Sequence, residues 1–358
     1  MSNKILLESE SPICPITAHV EQADDTVYFY LFNILAKSPD NVRSCWVCNR
    51  KPAPDELNEH TWKRDRAPMM PKGGFKHAAE GIDISPEGLK ILWFETGDAA
   101  LLMQNGNVLA VIPPWSGYQG FHGYARYASG QQLYAWEMTE QARDAMLDRA
   151  FRGDLFWEKT IDGSYWKQTQ QLHIQADERF FGPHTQYYAI DGGKFPPRAV
   201  IEGRKDGIVY GFTAGISHFM QPMIEMYVRN PQEHRRIEFG FAAEEAVSDV
   251  KIQAYNCFMS LAQCIHRDLC FFAHGHTNTW SGIPGFYAFL FVNARALRGI
   301  PAPQYPPVEG DPVNLLWAVP VTKEEYDFVV KTNINELMKH AKDITRVHIF
   351  DGKPKFAL

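Results

Sequence analysis

Hydrophobic and polar positions alternate or cluster along this chain in a way that divides it into blocks. Near the start, "DDTVYFYLFNILA" (residues 24–36) is apolar almost throughout. A run of that length, with Asp24 or Asp25 placed to cap it, predicts a buried helix. The stretch that follows, "NRKPAPDELNEHTWKRDRAPMMPKGG" (residues 49–74), is polar and proline-rich. It offers few periodic apolar positions, so loops with at most one short helix are expected there. From Gly81 the pattern becomes strand-like: "LKILWFE" and "AALLM" are short apolar runs. Asn105-Gly106 then separates two such runs in "LLMQNGNVLAVIP". An Asn-Gly pair supplies the positive φ angles of a type I′ turn, which predicts an antiparallel hairpin over residues 99–112. "TEQARDAMLDRAF" (139–151) places Ala142, Met146, Leu147 and Ala150 at helical spacing.

From Tyr187 onward, "YYAIDGGKFPPRAVIEGRKDGIVYGFTAGIS" reads as strand, turn, strand, strand. "MIEMYV" (223–228) and "RIEFGFA" (236–242) are expected as further strands. A long helix follows, with Val247, Val250, Ala254, Cys257, Phe258, Leu261, Cys264 and Ile265 on one apolar stripe. "GFYAFLFV" predicts a buried strand, "RGIPAPQYPPVEGDP" a proline-rich loop, and "VNLLWAVPV" a central strand covered on both faces. Thr322 and Glu325 form a capping box that starts a helix, and Asn333 with Glu336 repeats the device. The expected fold class is α+β: mixed, largely antiparallel β-sheets with packed helices, in two α/β subdomains. The division is expected at residues 1–186 and 187–350.

Composition narrows the function classes. The 358 residues are 45% hydrophobic and 22% charged, the balance of an ordinary globular protein, with a net charge of −6. No Lys/Arg-rich block occurs, so a nucleic-acid partner has no electrostatic footprint. The N-terminal segment does not read as a signal peptide, because Ile5–Leu7 is followed at once by Glu8 and Glu10. No stretch approaches the ~18 apolar residues of a membrane helix. A cytoplasmic location without membrane association is therefore expected. Six cysteines in so long a chain do not make a disulfide framework, and free thiols are expected.

Candidate chemistry is sparse. His274 and His276 stand two apart, a spacing that could supply two metal ligands from a strand. A third ligand is hard to find: the next acid downstream is Glu309, and upstream lies only Asp268. A loop that uses its histidines for hydrogen bonds to backbone fits "AHGHTNTW" better. Cys45-x-x-Cys48 lacks the second pair that a zinc site needs. No nucleophile elbow, phosphate loop or dinucleotide fingerprint occurs. Asp24-Asp25, Glu244-Glu245 and Glu324-Glu325 all read as helix-start carboxylates. Trp115, in the glycine-rich "PPWSGYQGFHGY", is able to line a groove. The candidate binding residues are Trp115, Tyr118, His122, His276 and Trp280. No catalytic residue, metal or cofactor is assigned.

The order of features in the second block resembles the Suppressor of fused family. "KFPPRAVIEG" and "VYGFTAGIS" are followed by "MQPMIEMYV", "RRIEFGF", the long helix, "AHGHTNTW" and the closing "VNLLWAVPVTKEEYDFVVKTNINELMKHA". The resemblance covers about Tyr187 to Ile344. "GDAALLMQNGNVLAVIPPWSG" also looks like a segment that accompanies the domain in bacterial members. The resemblance implies a structural turn at His274–His276 and a binding protein with no catalytic role. Its animal member sequesters a transcription factor; its bacterial members look like immunity proteins that neutralise toxin domains. The sequence ends at Leu358 without the large C-terminal half of the animal protein, so that protein's way of clasping a peptide is not expected here. The leading expectation is an immunity protein that binds another protein, possibly a toxin domain. The competing one is a hydrolytic enzyme, metal-dependent or not, with a groove near Trp115, His122, His274 and His276. The oligomeric state is left open.

Overall fold

The structure is a computed structural model that describes residues 3–37, 41–56, 67–193, 195–280 and 282–358. Contacts divide it into two units. The first comprises residues 1–161 with two short excursions, 225–227 and 266–269; the second comprises the rest. This division and the one expected at 186/187 differ by one helix, described below.

In the first unit, strands β1 (Lys4–Glu10), β2 (Ile16–Gln22), β3 (Thr26–Asn33) and β4 (Val42–Asn49) form an antiparallel meander. The helix expected over 24–36 is therefore a strand. Thr26, Val27, Tyr28, Phe29 and Tyr30 are β-branched or aromatic, and these residues fill a pleated surface better than a helix. β3 pairs on both sides, with β2 and β4, so its near-continuous apolar run reflects a central position. Asp24 and Asp25 accordingly precede a strand and cap no helix. Cys45 and Cys48 are buried free thiols on β4. Of the polar region 49–74, the described parts after Asn49 are loop; the short helix allowed there falls partly on residues 57–66, outside the described residues.

A second sheet in this unit runs β5 (Leu89–Trp93), β6 (Ala100–Gln104), β7 (Asn107–Ile112), β8 (Tyr124–Ala125) and β9 (Trp136–Glu137). β6 and β7 form the expected hairpin, with Gln104 opposite Asn107. Asn105 and Gly106 take φ values of 48° and 79°, the pair of left-handed angles a type I′ turn requires. Helix α1 (Glu140–Ile161) extends ten residues past the expected end. Its Met146, Leu147 and Ala150 pack on Leu92, Leu101 and Val111 of the sheet.

The second unit begins with helix α2 (Gly163–Phe181), which the apolar pattern did not reveal. Its sheet has the order β10 (Gln186–Ala189), β11 (Ala199–Lys205), β12 (Ile208–Ala214), β13 (Arg236–Glu244), β16 (Val313–Val321), β15 (Ala288–Asn293), β14 (Thr277–Thr279), with β17 (Ile349–Phe350) also on β13. Neighbours are antiparallel except β13, which runs parallel to β16 and β17. Period two divides the side chains between two layers. Ile237, Phe239 and Phe241 of β13 join Ala254, Phe258 and Leu261 of helix α3 (Lys251–Arg267) on one face. Phe212, Trp317 and Val319 join Phe181 of α2, Val329 of helix α4 (Lys323–Lys331) and Leu337 of helix α5 (Ile334–Met338) on the other. The long helix of the sequence reading is thus α3, entered through a 3-10 turn over Glu245–Val250 that absorbs Val247 and Val250.

Trp317 is fully buried in β16, as expected for a central strand. The Thr322–Glu325 capping box is complete. At Asn333 only half of the device forms: its side chain accepts from Glu336 N. "MIEMYV" is not a strand. Pro222 and the left-handed Met223 (φ 61°) interrupt extension, and Ile224–Met226 curl into a 3-10 turn.

Candidate functional site

The sequence-predicted site residues are not gathered in one unit. Trp115, Tyr118 and His122 lie in the first. Trp115 is half-buried after β7, and its carbonyl accepts from Tyr118 N. Tyr118 is half-exposed on a 3-10 turn, and His122 Nδ1 sits 3.0 Å from Ser44 O. His276 and Trp280 lie in the second unit. His274, Gly275 and His276 make the turn that leads into β14. His274 Nδ1 accepts from Asn293 N at 3.1 Å, and His276 N donates to Ala273 O. Trp280 packs against the α3 layer. Among the described residues no group of three His, Cys, Asp or Glu side chains is placed to hold a metal ion.

The chemistry that does converge lies under α2. Asp162 caps this helix, accepting from Ser164 N at 2.8 Å, and Gly182 (φ 96°) ends it. Its inward face carries Thr169, His173 and Asp177, four residues apart and therefore in line along the helix. All three are buried, with His173 and Asp177 wholly so. Two glycines, one on β11 and one just after β12, seat the helix. A Cβ at Gly203 would stand 2.1 Å from the Phe181 ring, and one at Gly215 would stand 2.3 Å from the Trp166 indole.

Facing this stripe is Glu238 on β13, fully buried on the α2 side of the sheet. Its Oε1 accepts from Gly215 N and Ser217 N at 3.0 Å each and from Ser217 Oγ at 2.6 Å; Oε2 accepts from Thr213 Oγ1 at 2.6 Å. His173 Nδ1 stands 3.5 Å from Oε1. Burial alone would raise the pKa of Glu238. The His173 ring and the Ser217 and Thr213 hydroxyls outweigh burial and hold the carboxyl below its ordinary range. Asp177 goes the other way. Burial, reinforced by Glu238 and Glu178, pushes it well above the carboxylate range despite the hydrogen bond Tyr305 Oη donates to Oδ1 at 2.9 Å. Two buried carboxyls shifted in opposite directions thus share one seam. Asp177 Oδ2 and both ring nitrogens of His173 have no hydrogen-bond partner among the described residues.

Beside the seam, Arg236 Nε donates to Asp311 Oδ2 at 3.1 Å, and Nη1 donates to the carbonyls of Ser217 and His218. Arg235 forks onto the same Asp311 at 2.7 and 2.9 Å. These pairs anchor a tight turn in which Val308 and Asp311 exchange both backbone hydrogen bonds, with Glu309 (φ 48°) and Gly310 (φ 85°) at its tip. Burial, with Arg236 and His173 nearby, pushes His218 down to about 4.

Between α2 and this turn opens a cleft of about 220 Å³. Tyr165, Gln168, Leu172 and His173 line it from the helix; Pro306, Pro307, Val308 and Glu309 line it from the loop. Tyr165 Oη donates to Glu309 Oε1 across the mouth. Sequence reasoning missed every residue of this cleft. The available signals were Arg236 and Glu238, two charges inside a strand that otherwise reads as buried.

Residues 189–353 match the family model described as Suppressor of fused protein (SUFU). The second unit carries a SUFU domain. β11 to β17 and helices α3 to α5 lie within the matched residues, while α2 precedes them, so the cleft joins the SUFU domain to a helix outside the match. A solved structure described as "the Sufu-Fu complex crystal structure" is similar at a TM-score of 0.37 and 11% sequence identity, over 53% of this chain and 91% of that one. No curated protein matches the chain. No helix among the described residues is long and apolar enough to cross a membrane.

Proposed function

We propose that this protein is a protein-binding module that acts by stoichiometric association and turns over no substrate. The observation that carries the reading is the SUFU match over residues 189–353, together with the resemblance of the same block to a family of binding proteins. The cleft between α2 and the Pro306–Glu309 loop supports it as a concave place for a partner's group, since its 220 Å³ is below the ~300 Å³ at which small-molecule sites begin.

The finer reading is an immunity protein, located in the cytoplasm, that neutralises a toxin domain. The acidic net charge of −6 supports it, because an acidic surface steers association with a basic partner. Capture of the tagged protein from its native cell at moderate salt, followed by titration of the purified partner, tests both levels. One-to-one binding supports the module, and loss of the partner's activity at equivalence supports the immunity role.

A buried histidine beside a carboxylate is also what a hydrolytic enzyme would use, and the His173–Glu238 pair at the foot of the cleft is the observation that favours this second reading. Steady turnover of ester or phosphoester substrates, abolished by His173→Gln, would establish it against the binding module.

A further inference from the structure

Among the described residues three arginines are buried: Arg149, Arg198 and Arg236. Two of them are tied to a carboxylate, Arg149 to Glu95 at 3.1 Å and Arg236 to Asp311 at 3.1 Å. Arg198, which directly precedes β11 in the SUFU domain, is not. It is 6% exposed. Its hydrogen bonds are made by its backbone: N donates to Asp191 Oδ2 at 2.8 Å, and O accepts from Ile190 N at 2.9 Å. Nε is sealed in without a partner, whereas Nη1 and Nη2 are not sealed and form the end that reaches the surface. Burial lowers the pKa of this guanidinium to about 10, and attraction from Glu238 and Asp191 does not offset it. At Arg149 burial acts the same way, but Glu95 and Glu225 outweigh it. The two acids that act on Arg198 have their oxygens engaged. Asp191 accepts from the Gly193 and Arg198 backbone, and Glu238 from Gly215, Ser217 and Thr213.

A buried cation without a bonded counter-charge is costly, and an anion that binds its open end recovers part of that cost. The fork of Nη1 and Nη2 matches the two oxygens of a carboxylate. A phosphoryl group would bring roughly two charges toward Asp191 and Glu238 where a carboxylate brings one, so repulsion from those acids favours the carboxylate. Little of the arginine is open, so the ligand has to reach in on a stem. An aspartate or glutamate side chain sets methylenes between its carboxylate and its backbone; a chain terminus brings its bulky peptide group along.

We infer that Arg198 is a receptor for the carboxylate of an acidic side chain from the partner protein, held end-on by Nη1 and Nη2. This rests on the protein-binding reading, and a partner of either net charge can supply one such side chain. The test reads the site separately from any partner. The probe is Nα-acetyl-glutamate methylamide, with the uncharged glutamine derivative as its isostere, titrated into isotope-labelled protein by NMR. N-acetylglycine stands in for a chain terminus, and inorganic phosphate for a phosphoryl group. The glutamate probe should give saturable shifts at the Ile190 and Ala199 amides and at the Arg198 side chain, the glutamine probe none, and the other two should bind more weakly. Arg198→Lys keeps the charge without the fork and should weaken the glutamate probe about tenfold, the effect of one lost charge-assisted hydrogen bond; Arg198→Gln should abolish its binding. No saturable shift in the parent protein, equal binding of the glutamine probe, tighter binding of phosphate or N-acetylglycine, or unchanged affinity in either variant would each overturn the inference. The comparison of probes on the parent protein stands even if a variant fails to fold. None of those results touches the binding-module reading, which fails only if the one-to-one capture fails.

Discussion

His173 Nδ1 and Glu238 Oε1 face each other across 3.5 Å with neither residue exposed, one on a helix that precedes the SUFU match and the other on a central strand within it. A buried charge of this kind is costly unless fully paired. Glu238 meets that condition with four hydrogen bonds besides the histidine. Removing the carboxylate strands the donors of Gly215, Ser217 and Thr213 and leaves His173 without the carboxylate beside it. Glu238→Ala should therefore cost about 3–5 kcal/mol in chemical denaturation, and Glu238→Gln, which keeps one acceptor, clearly less. Because the folded carboxyl titrates below the unfolded one, this stabilisation is complete above roughly pH 4.3 and disappears as pH falls through the lower folded value. A loss under 1 kcal/mol for Glu238→Ala would contradict the network.

Asp177 carries the opposite sign. Its folded pKa is raised, chiefly by burial, so its contribution to stability is full below the unfolded value of roughly 3.9 and is lost as pH rises toward the folded value. Asp177→Asn replaces a carboxyl whose neutral form burial favours with a permanently neutral amide. The variant should be no less stable than the parent at pH 7, and its advantage should grow with pH by up to about 1.4 kcal/mol per unit inside that window. Urea midpoints at pH 5 and 7 measure this, and a gap that stays constant would show that Asp177 is ionised in the fold.

Gly203 lies under Phe181, with no room for a side chain. Gly203→Ala should push the end of α2 off β11 and destabilise the second unit by about 1–3 kcal/mol, the usual cost of overpacking. Adding Phe181→Ala should recover part of that loss, because the clash is with the ring. If the double variant is simply the sum of the two single losses, the helix does not seat through this contact.

How much of this was legible depended on whether local chemistry or the environment decided each element. The Asn105–Gly106 hairpin and the Thr322–Glu325 box follow from backbone requirements that few residues meet, and both are present. So is the apolar β16 with Trp317 inside it. β3 was misread because a strand covered on both faces loses its alternation and mimics a buried helix. Helix α2 escaped for the reverse reason. The side chains it buries include Thr169, His173 and Asp177, so apolar periodicity is absent where the helix meets the sheet. Its ends, Asp162 and Gly182, were visible in principle. The cleft was hidden with it, since it forms only when residues 165–173 meet residues 306–309. The expected groove residues Trp115 and His276 stood out as aromatics and histidines near glycine, a local signal that carries no information about convergence.

The central claim is association without turnover, and calorimetric titration of the protein with the purified partner captured from its native cell tests it most directly. The expected result is a single binding event with a stoichiometry near one and no release of product from either component. Failure to recover any partner, with a metabolite or metal ion co-purifying in its place, would contradict it.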